Sequence, residues 1–432
     1  MNEHGDLPPA VMRGNYRKGV INGAVFTLGD AVSNPGLVLA LLIRQLGGSL
    51  TLVSLLPVIQ MTGYLLPQLI VGGYVQERPY KLPIYRLFAA LRIVAQFGVV
   101  LACFYALDMP AVWALVAVIG SYALFNFGGG VTTLTFQDAV AKIVPPSQRG
   151  RFFGTRQLFG GLLAFAIGGP FVRWMLSDSA PLAFPQNFAL ISFVSMCCYA
   201  IGMSVFAQVV EPAAVSVSPR QRFSEALQQA PALLRENPRY RTYIIVRLCL
   251  LVGRLAEPFA MIYVTEQLLL PKSTAGLLIA VAAVSAAISN IVWGRLGDRN
   301  GMVWLLRFTG ALTILPPLML FAAPWIQPAG SIALIGWLLG ASLLSGVAND
   351  GVGIASMTYL LEVSPPSQRP LYMGLANTML GVGAFIPIVG GVLVNTFGYA
   401  VTFVVAAAWS MVGLLLSRTL VTPPQPPNEV VA

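Results

Sequence analysis

Pro145-Pro146-Ser147-Gln148-Arg149 recurs unchanged as Pro365-Pro366-Ser367-Gln368-Arg369, 220 residues further on, and Gly154 and Gly374 follow the two copies at the same offset. A second pair stands at almost the same spacing: Gly73, Glu77 and Arg78 against Gly294, Asp298 and Arg299, 221 residues apart. Two independent matches at offsets one residue apart mark an internal duplication, so the two halves of the chain are expected to fold alike.

The repeated loops separate long apolar segments. Hydrophobic residues make up 56% of the 432 and charged residues only 10%, against roughly 25% charged in soluble domains. The mean hydropathy of +0.76 also excludes a disordered chain, which needs low hydrophobicity and high charge. A helix crosses a bilayer with about 20 apolar residues, and only helices or closed barrels satisfy their backbone there. The segments lack the period-2 alternation of a barrel strand. The sequence therefore predicts an all-α polytopic membrane protein with twelve transmembrane helices: 18–44, 49–76, 82–106, 111–140, 150–176, 184–210, 241–269, 272–296, 301–323, 329–361, 368–395 and 397–420.

Lys and Arg choose the sides. Eighteen lie in or beside the N-terminal head, the tail and the loops after even-numbered spans, whereas the opposite side holds only Arg44, Arg173 and Lys272. The positive-inside rule then puts both termini in the cytoplasm. Both copies of each repeated loop fall on that side, so each half holds an even number of spans. The result is two parallel six-helix bundles related by an axis along the membrane normal. The expected divisions are a tail at 1–17, a first bundle at 18–210, a linker at 211–240, a second bundle at 241–420 and a tail at 421–432. Within the linker Phe223, Ala226, Leu227, Ala230, Leu233 and Leu234 have helical spacing, interrupted by Pro231, which suits a short amphipathic helix on the membrane surface. The head shows no small-residue cleavage site. Short termini and small loops suit a bacterial inner membrane, and the net charge of +10 reflects this topology rather than nucleic-acid binding. The four cysteines all fall within spans without metal-ligand spacing.

Gly294-Arg295-Leu296-Gly297-Asp298-Arg299-Asn300-Gly301 resembles the loop signature of the major facilitator superfamily, glycine-x-leucine-x-aspartate-arginine-x-glycine. The first-half copy, Gly73-Tyr74-Val75-Gln76-Glu77-Arg78, has Glu for Asp and lacks the closing glycine. The Pro-Pro-Ser-Gln-Arg loops resemble that superfamily's arginine-bearing turns after spans 4 and 10. The resemblance covers essentially the whole chain. It implies that the glycines let helix ends approach, while acid and arginine tie inner helix ends together in the outward-facing state. The gating set would be Gly73, Glu77, Arg78, Asp138 and Arg149 in one half, and Gly294, Asp298, Arg299, Gly301, Glu362 and Arg369 in the other. The resemblance also implies a cavity lined by spans 1, 4, 7 and 10. It says nothing of the substrate.

Ionisable groups inside the bilayer are costly and point to function. Asp30 lies mid-span 1, near Asn22 and Asn34; Arg254 and Glu257 share a face of span 7; Asn349 and Asp350 lie in span 10; span 4 adds Tyr122 and Asn126. All of these charges fall on the cavity-lining set. Arg254 and Glu257 could instead neutralise each other, Asp350 could belong to a gate, and Arg92 in span 3 reads as structural or as snorkelling inward. A desolvated carboxylate can load and release a proton near the working pH. Asp30 is the first choice for that role, with Glu257 or Asp350 second, and sodium is the other candidate ion. Three cavity acids against one arginine favour export of amphipathic cations; uptake of a small anionic or neutral nutrient is the alternative. Enzyme motifs, cofactor fingerprints and metal sites are absent from the sequence, so the expected partners are a small-molecule substrate and lipid, with a monomer sufficient. A transporter-fold assembly factor fits the composition but leaves the intramembrane charges without a role. Span 5 (Gly160, Gly161, Gly168, Gly169, Pro170) in part resembles the superfamily's drug-antiporter motif, and helix packing explains the same glycines.

Overall fold

A computed structural model describes residues 8–76, 78–212, 231–365 and 369–421, and all their regular structure is helical. Spans 2, 3, 4 and 6 run as Leu50–Gln76, Leu82–Phe104, Ala111–Ile143 and Gln186–Ala207. Spans 8 and 10 are Thr274–Asn300 and Ser331–Val363. Ten helices are long and apolar enough to cross a membrane, two fewer than the twelve passes expected. One difference lies in the last of them, a 46-residue stretch, Tyr372–Ser417, which holds spans 11 and 12 joined at Gly398. There φ is +81°, a left-handed conformation that glycine adopts without a Cβ penalty. The other is span 7, which was expected to be continuous. It runs as Pro238–Val252, breaks, and resumes as Ala260–Glu266, so neither piece is long enough by itself.

Span 1 also departs from expectation. It starts at Pro9 rather than near residue 18, because Pro9 suits a first helical position and Asn15 is held by Val210 in both directions, at 2.8 and 3.0 Å. It then breaks at Ser33-Asn34 and restarts through a π-helical turn, Pro35–Leu39, before Ala40–Gln45. In the linker, residues 231–236 are helical and Leu233 is buried; its expected apolar positions at 223–230 lie outside the described residues.

The apolar cores place the two bundles. On the face away from the termini one continuous core joins both halves, with Leu42 and Ile43 of span 1 in the same cluster as Phe259, Ile262 and Val264 of span 7. On the termini face each half keeps its own core, one around Tyr85, Phe152 and Phe206 and the other around Tyr240, Leu305 and Tyr359. The halves are therefore closed on one face and parted on the other.

Spans 5 and 8 form a close crossing between the bundles. A Cβ at Gly169 would come within 2.5 Å of Ala280 Cβ and 2.6 Å of the Gly276 carbonyl, and one at Gly161 within 2.5 Å of Ala287 Cβ. Gly160 meets Thr27 of span 1 in the same way. These contacts give the span-5 glycines a packing role, as small residues have at membrane helix interfaces. Gly169→Val should force spans 5 and 8 apart and destabilise the protein by roughly 1–3 kcal/mol, read as a lowered unfolding temperature in detergent; an unchanged temperature would contradict this crossing.

Candidate functional site

Two cavities lie along the interface between the bundles, and Asn34, Pro35 and Gln60 border both. The first, about 390 Å³, belongs to the first half. Asp30 is accessible from it, and the Tyr199 hydroxyl donates a 2.7 Å hydrogen bond to Asp30 Oδ1. Arg92 lines the same cavity with only 6% of its surface exposed. Its guanidinium packs between the Phe125 and Phe26 rings, 4.1 and 5.0 Å from their centroids, an arrangement that attracts a cation to the ring faces. Arg92 is thus neither snorkelling nor remote from the site. The rule that flags Asp30, a lone charge in mid-span, flags Arg92 equally; Tyr199 gave no comparable signal.

The other expected residues of this half are positioned more by the backbone. Asn34 Oδ1 accepts from Leu37 N at 3.0 Å, capping the restart of span 1. Asn126 donates to the Tyr122 carbonyl within its own helix at 2.8 Å. Tyr122 lines the cavity, and its hydroxyl has no hydrogen-bond partner.

The second cavity, about 430 Å³, opens on the broken part of span 7. Arg254 and Glu257 form a two-pronged ion pair at 2.8 and 2.9 Å, and Asn349 donates to Glu257 Oε1 at 3.0 Å. Both charged side chains remain over 40% exposed to the cavity, so water screens much of their attraction. Asp350 is a correction to the expected set. It does not line this cavity; Asn290 of span 8 donates to its Oδ2 at 2.9 Å. Neighbouring residues point about 100° apart on a helix, so Asn349 and Asp350 cannot both face inward.

The gating residues are only partly brought together. Asp138 pairs with Lys81 at 3.3 Å, whereas Arg78 stacks on Tyr74 and donates to its hydroxyl at 2.6 Å. Lys81 takes the place expected of Arg78 because it opens span 3 beside the end of span 4. Glu211, not foreseen from sequence, accepts from Lys81 N and Leu82 N at 2.9 Å and from Lys142 Nζ at 2.6 Å. Arg149 donates to the Ala141 and Val144 carbonyls at the end of span 4. Gly301 turns the chain between spans 8 and 9 with φ +87°. Gly73 and Gly294 lie within the helices of spans 2 and 8, Arg299 is exposed, Glu362 is exposed near the end of span 10, and Arg369 opens span 11. Glu77 and the Asp298 and Arg369 side chains lie outside the described residues.

Polar contacts between the halves lie on the closed face. Arg44 grips Glu266 at 2.8 and 3.0 Å, and Asn395 donates to Thr51 Oγ1 at 3.3 Å. Arg44 and Glu266 are about a third exposed. Arg44→Ala should therefore weaken the closed face by about 0.5–1 kcal/mol, a roughly two- to fivefold shift in population. Spin labels placed across that face would read it as a broadened distance distribution; a distribution identical to wild type would contradict the contact's role.

Two helical halves around a polar, water-accessible interface are the arrangement on which secondary transporters are built. Residues 244–432 match the family model for the Major Facilitator Superfamily. The chain is 30% identical over 161 residues to human solute carrier family 67 member A1, covering 37% of this chain and 36% of that protein. It is 27% identical over 161 residues to a putative proline/betaine transporter of Staphylococcus haemolyticus (strain JCSC1435), covering 35% and 34%. Each of these alignments spans about a third of the curated relative's length. The fold extends further: the D-xylose-proton symporter structure aligns with a TM-score of 0.68 over 95% of this chain and 98% of that one, at 16% identity. The likeness to the Major Facilitator Superfamily therefore rests on residues 244–432, and the likeness of fold extends over nearly the whole chain.

Proposed function

We propose that this protein is a proton-coupled secondary transporter that moves a small organic solute by alternating access, acting as a monomer in a cell inner membrane with both termini in the cytoplasm. One observation supports the reading above the others: the halves share a core and an ion pair on one face and part on the other. That is the asymmetry of a rocking pair caught at one end of its cycle. With the termini cytoplasmic, this conformation opens inward.

Asp30 is the proposed proton carrier. It is an acid reached from the cavity, and Tyr199 supports it without a competing salt bridge among the described residues. The charge argument for exporting cations weakens. Asp350 turns to Asn290, Arg92 joins the cavity and Arg254 is paired by Glu257. Two acids now face two arginines. A balanced lining with aromatic walls suits a small polar or zwitterionic solute, and the likeness to a putative proline/betaine transporter points the same way.

The test is reconstitution into liposomes loaded with a pH dye and challenged with proline, glycine betaine, short-chain organic acids and quaternary amines. Solute-driven proton movement is expected in wild type. Asp30→Asn should abolish it while retaining solute counterflow, because exchange needs no net proton transfer. Solute flux without proton movement in wild type would overturn proton coupling, and undiminished proton movement in Asp30→Asn would overturn the choice of carrier.

A further inference from the structure

Arg92 is a nearly buried cation whose donors the protein leaves incomplete. Its Nη1 donates to Thr132 Oγ1 at 3.1 Å, while its buried Nε has no hydrogen-bond partner. No carboxylate among the described residues lies within ion-pair distance of it. The rings of Phe26 and Phe125 pack against the guanidinium, and the residue lines the cavity although its Nε is buried. An unmatched buried cation is unfavourable unless something completes it. Tyr122, only 8% exposed, lines the same cavity, and its buried hydroxyl beside Asn126 makes no hydrogen bond of good geometry. A guanidinium edge and a hydroxyl together are the complement of a carboxylate, whose two planar oxygens accept from both.

Asp30 opens on this cavity too, and two negative charges there would repel. The titratable and charged groups around it are Tyr199 of span 6, Arg92 of span 3, Tyr122 of span 4 and Tyr64 of span 2, with Arg254 and Glu257 in the adjoining cavity of the other half. Arg254 is already matched by Glu257, so Arg92 is the cation available to an incoming anion.

We propose that the first-half cavity is a carboxylate subsite in which Arg92 and Tyr122 hold the solute's carboxylate, and that the site fills only when Asp30 takes up a proton, so that solute and proton enter together. This rests on the transporter reading and narrows it to solutes bearing a carboxylate, zwitterions included. The balance is simple: one carboxylate and one proton bind, no covalent bond to the solute is made or broken, and the cavity's net charge is unchanged.

Benzoate, benzylamine and benzyl alcohol share one ring and differ in head group, which makes them suitable probes for the purified full-length protein. Binding would be followed by intrinsic fluorescence and thermal shift across a pH series. Benzoate should bind in preference to the other two, and its affinity should fall about tenfold per pH unit as pH rises, the slope for one proton taken up per ligand. Arg92→Gln should abolish benzoate binding, and Tyr122→Phe should weaken it roughly tenfold, the scale for a hydrogen bond to a charged group. Asp30→Asn, which fixes the neutral form, should retain benzoate binding and lose the pH slope. The proposal is overturned if benzoate does not bind, if benzylamine binds better, if the wild-type profile is flat, or if Arg92→Gln binds normally. Should Arg92→Gln fail to fold, Tyr122→Phe and Asp30→Asn decide the question. Benzoate binding of this kind in a protein that passes no solute in liposomes would uphold the subsite and remove the transport reading; solute flux without benzoate binding would do the reverse.

Discussion

A backbone surrounded by lipid has no water to hydrogen-bond, so every N–H and C=O must be satisfied within the protein. That constraint makes this chain helical, and it also decides where a helix can stop. The first helix of each half breaks in mid-course, span 1 at Ser33-Asn34 and span 7 between Val252 and Ala260. Both breaks border the cavities, where side chains and water can satisfy the freed backbone groups. Asn34 does so directly by accepting from Leu37 N. In span 7 the break holds Arg254 and Glu257 side by side, so the interruption that frees backbone groups also sets the second cavity's charges at the bundle interface. The polar site follows from where the helices can afford to be irregular.

The same economy shapes the interface between bundles. Interlocked large side chains would hold the halves rigidly, since packed cores switch between discrete arrangements rather than deform smoothly. Spans 5 and 8 instead meet through Gly161, Gly169, Gly276, Ala280 and Ala287, a seam with little to disengage when the halves tilt. The large side chains cluster elsewhere. They form a core that bridges the halves on one face and two separate cores on the other. Under the proposed alternating access, a tilt about the seam would exchange contacts at the two ends while leaving the middle in place.

The fold was legible because its signals are long and local. Apolar runs of 20 residues and a five-residue repeat at 220 survive without knowledge of any tertiary contact. The site was legible by residue type but not by direction. Asn349 and Asp350 are adjacent in sequence, yet one bonds Glu257 across the cavity and the other bonds Asn290 behind it. Only the rotation of span 10 separates them, and a helix apolar on most of its circumference does not reveal its rotation. Arg92 shows the same gap from the other side: its role depends on Phe26 and Phe125, which come from spans 1 and 4. The exchange of Lys81 for Arg78 beside Asp138 turns on a loop of a few residues, where a motif gives composition but not geometry.

The arginines of this protein differ in how far the chain itself completes the guanidinium. Arg307 donates to the carbonyls of Ser417, Arg418 and Leu420 at 2.9–3.1 Å, and Arg149 ties down two carbonyls at the end of span 4. Each satisfies otherwise orphaned acceptors at a helix end, and each thereby uses up the donors that would recognise a ligand. Arg254 is completed by Glu257. Arg92 differs in having aromatic faces, a single hydroxyl acceptor and an unused donor. Rings stabilise the charge without occupying its hydrogen-bonding edge, so the cation is kept in the membrane interior while its capacity to bind an acceptor is preserved. The aromatic residues of the first cavity thus do more than make it apolar: they allow an incomplete arginine to persist beside Asp30.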